Sequence, residues 1–138
     1  LGFTVRRFNG KLLIKPSKAA VRRHRQRLRA EMLSLRGANA VMVLQRPVPI
    51  VRGWSAYYRT VVSSELFSAL DRYLWRLIYK WAKHSHPKKS KRWIVNRYFG
   101  RFNKSRQDRW VFGDRDSGAY LVKHAWTKIV RHQMVKGR

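Results

Sequence analysis

The segment from residue 65 to residue 84 constrains the fold of this chain more than any other. Leu66, Leu70, Leu74, Leu77 and Trp81 recur there at spacings of three and four, with Tyr73 and Ile78 widening the stripe. That period belongs to an α-helix that buries one face. Ser63 or Ser64 supplies a side-chain oxygen to cap its first turn. Arg72, Arg76, Lys80 and Lys83 follow one another at intervals of four, four and three, on a face of their own. One helix thus packs on one side and presents a line of cations on the other.

Such a helix needs apolar partners, and the upstream sequence supplies them. After Pro16, Ser17 is placed to cap a helix reaching about Leu35, with a seam of Val21, His24, Leu28, Met32 and Leu35 and a left-handed cap at Gly37. Arg22, Arg23, Arg25, Arg27 and Arg29 fill most of its remaining circumference. Residues 38–48 have no clear period. Pro49 suits the first turn of the next helix, which puts Ile50, Trp54, Tyr57 and Val61 on one face and turns Arg52 and Arg59 away. Gly53 inside that helix implies close approach of a neighbouring helix beside Trp54. Ahead of all this, Phe3-Thr4-Val5 and Leu12-Leu13-Ile14 flank Asn9-Gly10, the pair that favours a two-residue type I′ hairpin turn.

Downstream, His84-Ser85-His86-Pro87 ends the long helix, and Lys88, Lys89, Lys91 and Arg92 follow with no acid among them. Ser90 is a cap for a short helix carrying Trp93, Ile94, Tyr98 and Phe99. Residues 100–109 read as a polar basic loop, Trp110-Val111-Phe112 as a strand, and Tyr120-Leu121-Val122 as its partner. Residues 125–132 fit a last helix or a strand equally.

Composition narrows the function. Lys and Arg number 33 against 6 Asp and Glu, a net charge of +27, with 14 of the cations in the first 69 residues and 19 in the rest. A surplus spread through the folded parts points to a polyanionic partner met by a shaped surface. Yet 44% of residues are hydrophobic and 6 are Trp, which excludes a disordered basic tail. No apolar run is long enough for a transmembrane helix. The absence of cysteine excludes disulfides and thiolate metal sites, and it fits a reducing compartment. His84 and His86 diverge at a helix end and make a poor metal pair. Asp114-Arg115-Asp116, beside Gly113 and Gly118, reads as a turn in preference to a magnesium cluster.

The central residues also carry an ordered pattern. It runs Arg52-Gly53-Trp54, Tyr57-Tyr58-Arg59, Phe67, Leu70-Asp71, Tyr73-Leu74-Trp75 and Trp81, then Pro87-Lys88-Lys89, Lys91-Arg92-Trp93-Ile94 and Tyr98-Phe99. In that order it resembles the thumb and domain X (maturase-specific) region of group II intron-encoded reverse transcriptase/maturases. Leu1-Gly2-Phe3 looks like the tail of the element that closes the family's polymerase palm, and Pro16-Ser17-Lys18 like the start of its first thumb helix. Ile129, Arg131-His132 and Val135-Lys136-Gly137 look like the boundary before a DNA-binding or endonuclease region. Three positions depart from the pattern: Val48-Pro49 stands where the family has Asn-Pro, Pro47 replaces an aliphatic residue, and His24 an aromatic or aliphatic one.

The resemblance implies a mainly α fold. It comprises an N-terminal β-hairpin (1–16, the end of the palm), thumb helices and the start of domain X (17–84), and the rest of a small helical domain X with a short strand pair (85–138). The three-helix thumb would take residues 17–36, 49–62 and 65–84. The paired-aspartate polymerase motif of the family is not in the chain, which therefore reads as a C-terminal fragment with no catalytic residue and no cofactor of its own. Magnesium is expected in the palm of the parent reverse transcriptase and in the intron RNA. The implied work is to bind structured group II intron RNA and promote its splicing, and to hold template–primer during intron mobility. Expected partners are the intron RNA, the template–primer duplex, target DNA, and the palm and fingers of the same polypeptide. No membrane is expected, and bacterial cytoplasm is favoured over an organelle.

Candidate RNA contacts are Arg22, Arg23, Arg25 and Arg29, then Arg52, Tyr58 and Arg59, then Arg72, Arg76, Lys80 and Lys83. Lys88, Lys89, Lys91 and Arg92 form the densest group, followed by Arg97, Lys104 and Arg131. Trp54, Tyr57, Leu70, Leu74 and Trp81 read as core, while Tyr58 and Trp93 suit packing or base stacking equally. A different class of function, a stand-alone basic module of ribosomal-protein type, would explain the charge and the small core but not the ordered aromatic pattern. Duplex DNA binding at an integration target is a third reading.

Overall fold

The computed structural model describes residues 2–8 and 11–130. Strands β1 (Phe3–Phe8) and β2 (Lys11–Pro16) pair antiparallel, with Phe3 opposite Pro16 and Phe8 opposite Lys11. The ladder closes over two residues, as expected, although the Asn9-Gly10 turn itself lies outside the described residues. An isolated two-stranded hairpin is marginal in water, and this one is tied down at its base. The carbonyl of Gly2 accepts from Ser17 N at 2.9 Å and from the Tyr58 hydroxyl at 3.0 Å. Gly2 has φ +85°, and a Cβ there would meet the Tyr58 oxygen at 2.5 Å, so glycine is required twice over.

Helix α1 (Lys18–Ser34) starts at Ser17, whose hydroxyl accepts from Ala20 N, and gives way to Gly37 at φ +87°. His24, Leu28, Met32 and Leu35 are buried as its period predicts. The unassigned stretch after it contains α2 (Ala40–Gln45), capped by the Asn39 side chain on Met42 N. Helix α3 (Val48–Tyr58) has Pro49 in its first turn and no side-chain cap, since Pro47 holds the cap position.

The face that α3 buries differs from the expected one. Ile50, Val51, Ser55 and Tyr58 are buried, Trp54 is half-buried, and Tyr57 is 61% exposed. Tyr57 is therefore not core, and Tyr58 is. Gly53 also departs from expectation: among the described residues nothing lies within 4 Å of where its Cβ would be, so no described helix approaches it.

Helix α4 (Ser64–Ser85) is capped by Ser63, whose hydroxyl accepts from Leu66 N. Phe67, Leu70, Leu74, Leu77, Ile78 and Trp81 are buried along it. It runs in the same direction as α1. Arg25 of α1 sits over the Tyr73 ring at 5.1 Å, and further along Trp81 Nε1 donates to the carbonyls of Leu35 and Ala38 at 3.1 and 3.2 Å. The two intervening helices make this parallel pairing possible.

Helix α5 (Lys91–Tyr98) begins at Ser90, which accepts from Trp93 N, and leads into β3 (Phe99–Gly100). Strand β4 (Val111–Phe112) pairs antiparallel with β3 and not, as expected, with a strand at 120–122. That later segment adds one bridge, Gly113 to Tyr120, and a bond from Leu121 N to the Phe112 carbonyl. Asp114 does make the expected turn: the Ser117 hydroxyl and the backbone N–H groups of Asp116 and Ser117 donate to its carboxylate and hold it below the usual carboxylate range. Of the undecided stretch 125–132, residues 131 and 132 lie outside the described residues, and the described part begins within a 3-10 turn, His124–Trp126. Among the described residues, no helix is long and apolar enough to cross a membrane.

Two apolar clusters result. The larger joins the second halves of α1 and α4 to α2, α5, Phe99, Phe112 and Leu121. The smaller gathers Ala20, Tyr58, Val62 and Phe67, with Trp54 against them.

Candidate nucleic-acid interface

The cations predicted on α4 stand where the helical period puts them. Arg72, Arg76, Lys80 and Lys83 are all exposed, and at 1.5 Å per residue the row is about 16 Å long. It leads into the basic run. Lys83 Nζ donates to the Lys89 carbonyl at 2.7 Å, and Lys89 lies over the Trp93 ring at 5.0 Å. Lys88 and Lys89 occupy the α4–α5 turn, Lys91 and Arg92 the first turn of α5, and all four are exposed. A helix N-terminus is already the positive end of its dipole, so cations there raise the local potential further. Ion pairs among the described residues are Arg46–Glu31, Lys123–Asp108 and His124–Asp71, and none of them involves this row or this run.

Other predicted contacts scatter. Arg22, Arg23, Arg29, Arg52, Arg59, Arg97 and Lys104 are exposed, and Arg97 flanks the Tyr98 ring at 5.9 Å. Arg23 and Arg27 line a groove of roughly 420 Å³ between α1 and α3, together with Trp54 and Tyr57. Arg25 is half-buried, its guanidinium over the Tyr73 ring at 5.1 Å and its Nε inaccessible and unpaired. Tyr58, expected to suit packing or base stacking equally, is buried in the smaller apolar cluster. Burial pushes its hydroxyl pKa up, its proton goes to the Gly2 carbonyl, and its ring packs against Phe3 and Trp54, which leaves no face for a base. Trp93 is half-buried, with His86 edge-on at 4.8 Å. Arg131 lies outside the described residues.

Two features escaped the sequence reading. The first is a cleft of roughly 620 Å³ against the N-terminal half of α4. Trp75, Trp110 and Trp126 line it together with Arg72, Arg76 and Lys123. Trp110, read as part of a strand, is 55% exposed. The loop before it is held by Asp108, whose ionisation burial opposes; the Lys123 ammonium at 2.5 Å and the Trp110 N–H at 2.9 Å nonetheless keep its carboxyl below the usual range. No period could have shown this cleft, because its walls come from three separate segments.

The second is a buried polar chain between the two apolar clusters. Asp71 accepts from His124 N at 2.7 Å, from His124 Nδ1 at 2.8 Å and from Ala125 N at 3.0 Å. His124 Nε2 lies 2.8 Å from His24 Nε2, and the His24 ring stacks on Trp54 with centroids 4.6 Å apart. Burial, then the charges of His124 and Arg27, lower the pKa of His24 to about 3, so it is neutral. His24, the residue out of place in an apolar seam, is thus the partner of a histidine far along the chain. This chain of bonds fixes the 3-10 turn to α4 and so helps set the far wall of the tryptophan cleft.

No curated protein matches the chain. Residues 21–99, which span α1 to the start of β3 and include the cationic row and the basic run, match the family described as "Group II intron, maturase-specific domain". That match covers more than half of the 138 residues. The chain belongs to the group II intron maturase-specific domain family, and its role is a maturase-related one in intron splicing.

Proposed function

We propose that this domain binds folded group II intron RNA directly, and that the edge formed by α4 and the start of α5 is the surface it uses. The observation that carries the reading is the unneutralised line from Arg72 through Lys83 to Lys88, Lys89, Lys91 and Arg92. Such a line attracts phosphates regardless of sequence and gives binding that weakens steeply with salt. Structured RNA is read by shape, 2′-hydroxyls and stacking, not through its narrow major groove. A helix edge bearing cations, with the exposed Trp110 beside Arg72 and Arg76, suits that chemistry. We also propose that the α1–α3 groove, with Arg23, Arg27 and exposed Tyr57, grips a template–primer duplex during reverse transcription.

The test is a salt titration of binding to a folded group II intron RNA, competed by an equally long RNA whose fold is disrupted. A several-fold preference that survives near 200 mM salt, roughly the upper end of the physiological range over which phosphate-only binding collapses, supports the reading. Equal and steep loss for both RNAs overturns shape recognition and leaves a basic packing module.

A further inference from the structure

The geometry points to the tryptophan cleft as a pocket for one unpaired nucleotide of the RNA, its base stacked on Trp110 and its phosphate held by Arg72 and Arg76. This deepens the proposed RNA-binding role and rests on it.

Trp110 leaves 55% of its surface open, although burying such a ring is among the largest apolar gains a small domain can make. No ring is stacked flat on Trp110 or Trp126 among the described residues. Trp75 meets Trp110 edge-on at 5.9 Å, and Tyr120 meets Trp126 edge-on at the same distance. Arg106 sits over the Trp126 ring at 4.8 Å, so a cation is already at the rim. The cleft volume of about 620 Å³ falls within the range of roughly 300–1,000 Å³ usual for small-ligand sites.

Charge selects the occupant. Of the two carboxylates on the wall, Asp71 is occupied by His124 and the Ala125 N–H, and Asp108 by Lys123 and the Trp110 N–H. Among the described residues Arg72 and Arg76 have no such partner, which leaves the mouth cationic over an aromatic floor. An apolar peptide would have to cover both guanidinium groups, whereas a nucleotide supplies a flat π-face and an anion on one unit. Bases inside a duplex are stacked on each other and cannot enter, so the cleft takes a nucleotide from a loop, bulge or end. It also abuts the cationic row, because Arg72 and Arg76 belong to both.

The experiment uses the full chain and two RNAs, a single strand of about 12 nucleotides with one 2-aminopurine and a blunt duplex of equal length. Wild-type protein is expected to quench the 2-aminopurine on binding. Trp110→Ala should abolish the quenching and weaken the single strand about tenfold, the usual cost of losing one base–aromatic stack, with duplex binding unchanged. Trp110→Phe should restore most of both, and circular dichroism should confirm that each variant is folded. Quenching and single-strand affinity unaltered by Trp110→Ala would overturn the assignment. So would equal loss for single strand and duplex, or wild-type binding without quenching. Wild-type protein that binds neither these RNAs nor the intron would instead sink the RNA-binding role itself.

Discussion

The imidazoles of His24 and His124 meet Nε2 to Nε2 at 2.8 Å, a hundred positions apart in the chain. At that distance one nitrogen must donate and the other accept, so the pair holds one proton between its facing atoms. Asp71 fixes the other side of His124, and Trp54 covers His24. The pair links α1 to the 3-10 turn, the bonds to Asp71 tie that turn to α4, and the Trp54 stack adds α3.

Stability should follow the protonation of His24. Its pKa is 6.5 when unfolded and about 3 when folded, so below 6.5 the unfolded chain binds the extra proton. Stability is then complete above pH 6.5 and declines as pH falls toward 3, by at most about 1.4 kcal/mol per pH unit. Urea midpoints measured across that range should fall, and more shallowly in His24→Phe. A variant profile parallel to wild type would mean that another group titrates.

Trp81→Ala should cost about 3–5 kcal/mol, because the indole is buried between Tyr98 and Phe112 and its loss leaves a cavity. Trp81→Phe should fall between the two, since it keeps ring packing but leaves the carbonyls of Leu35 and Ala38 without the Nε1 donor. Chemical denaturation reads both. A midpoint that hardly moves in Trp81→Ala would be incompatible with this core.

Gly53→Ala should stabilise the protein by about 0.5–1 kcal/mol, the helix-interior penalty of glycine, because its Cβ would enter open space. Gly113→Ala should do the reverse, since a Cβ there would lie 2.6 Å from the Phe102 ring. Thermal melts of the two variants should shift in opposite directions. A destabilised Gly53→Ala would show that something packs on that face in solution.

Reversing Lys88, Lys89, Lys91 and Arg92 to glutamate should weaken intron RNA binding by at least tenfold and flatten the salt slope by up to about 3, if each cation meets a phosphate. Acidic residues at the start of α5 suit its dipole better than Lys91 and Arg92 do, whereas Lys89→Glu removes the cation over the Trp93 ring, so the variant must be shown to be folded. Filter binding over a salt series, with circular dichroism as control, checks this. Unchanged affinity would remove the run from the interface.

The parts of this protein legible in one dimension are those whose physics is local. Helix α4 spans six turns, long enough for its buried stripe and its cationic row to declare themselves by period alone. Ser17, Ser63 and Ser90 cap the helices that follow them because a short side-chain oxygen reaches the free amides of the first turn whatever lies beyond. The net charge of +27 points to a polyanion, and the order of the aromatics to a family, without reference to packing.

What the tertiary structure decided is non-local. Tyr57 and Tyr58 are adjacent aromatics, and a helix turned by one position exchanges them. Tyr58 goes inward because the Gly2 carbonyl, 56 residues away, accepts its proton. Strands β3 and β4 are two residues each, too short for any alternation to name a partner. The tryptophan cleft and the His24–His124 contact each join segments far apart in the chain. Sequence periodicity reports which face of an element is apolar, and only packing reports what that face meets.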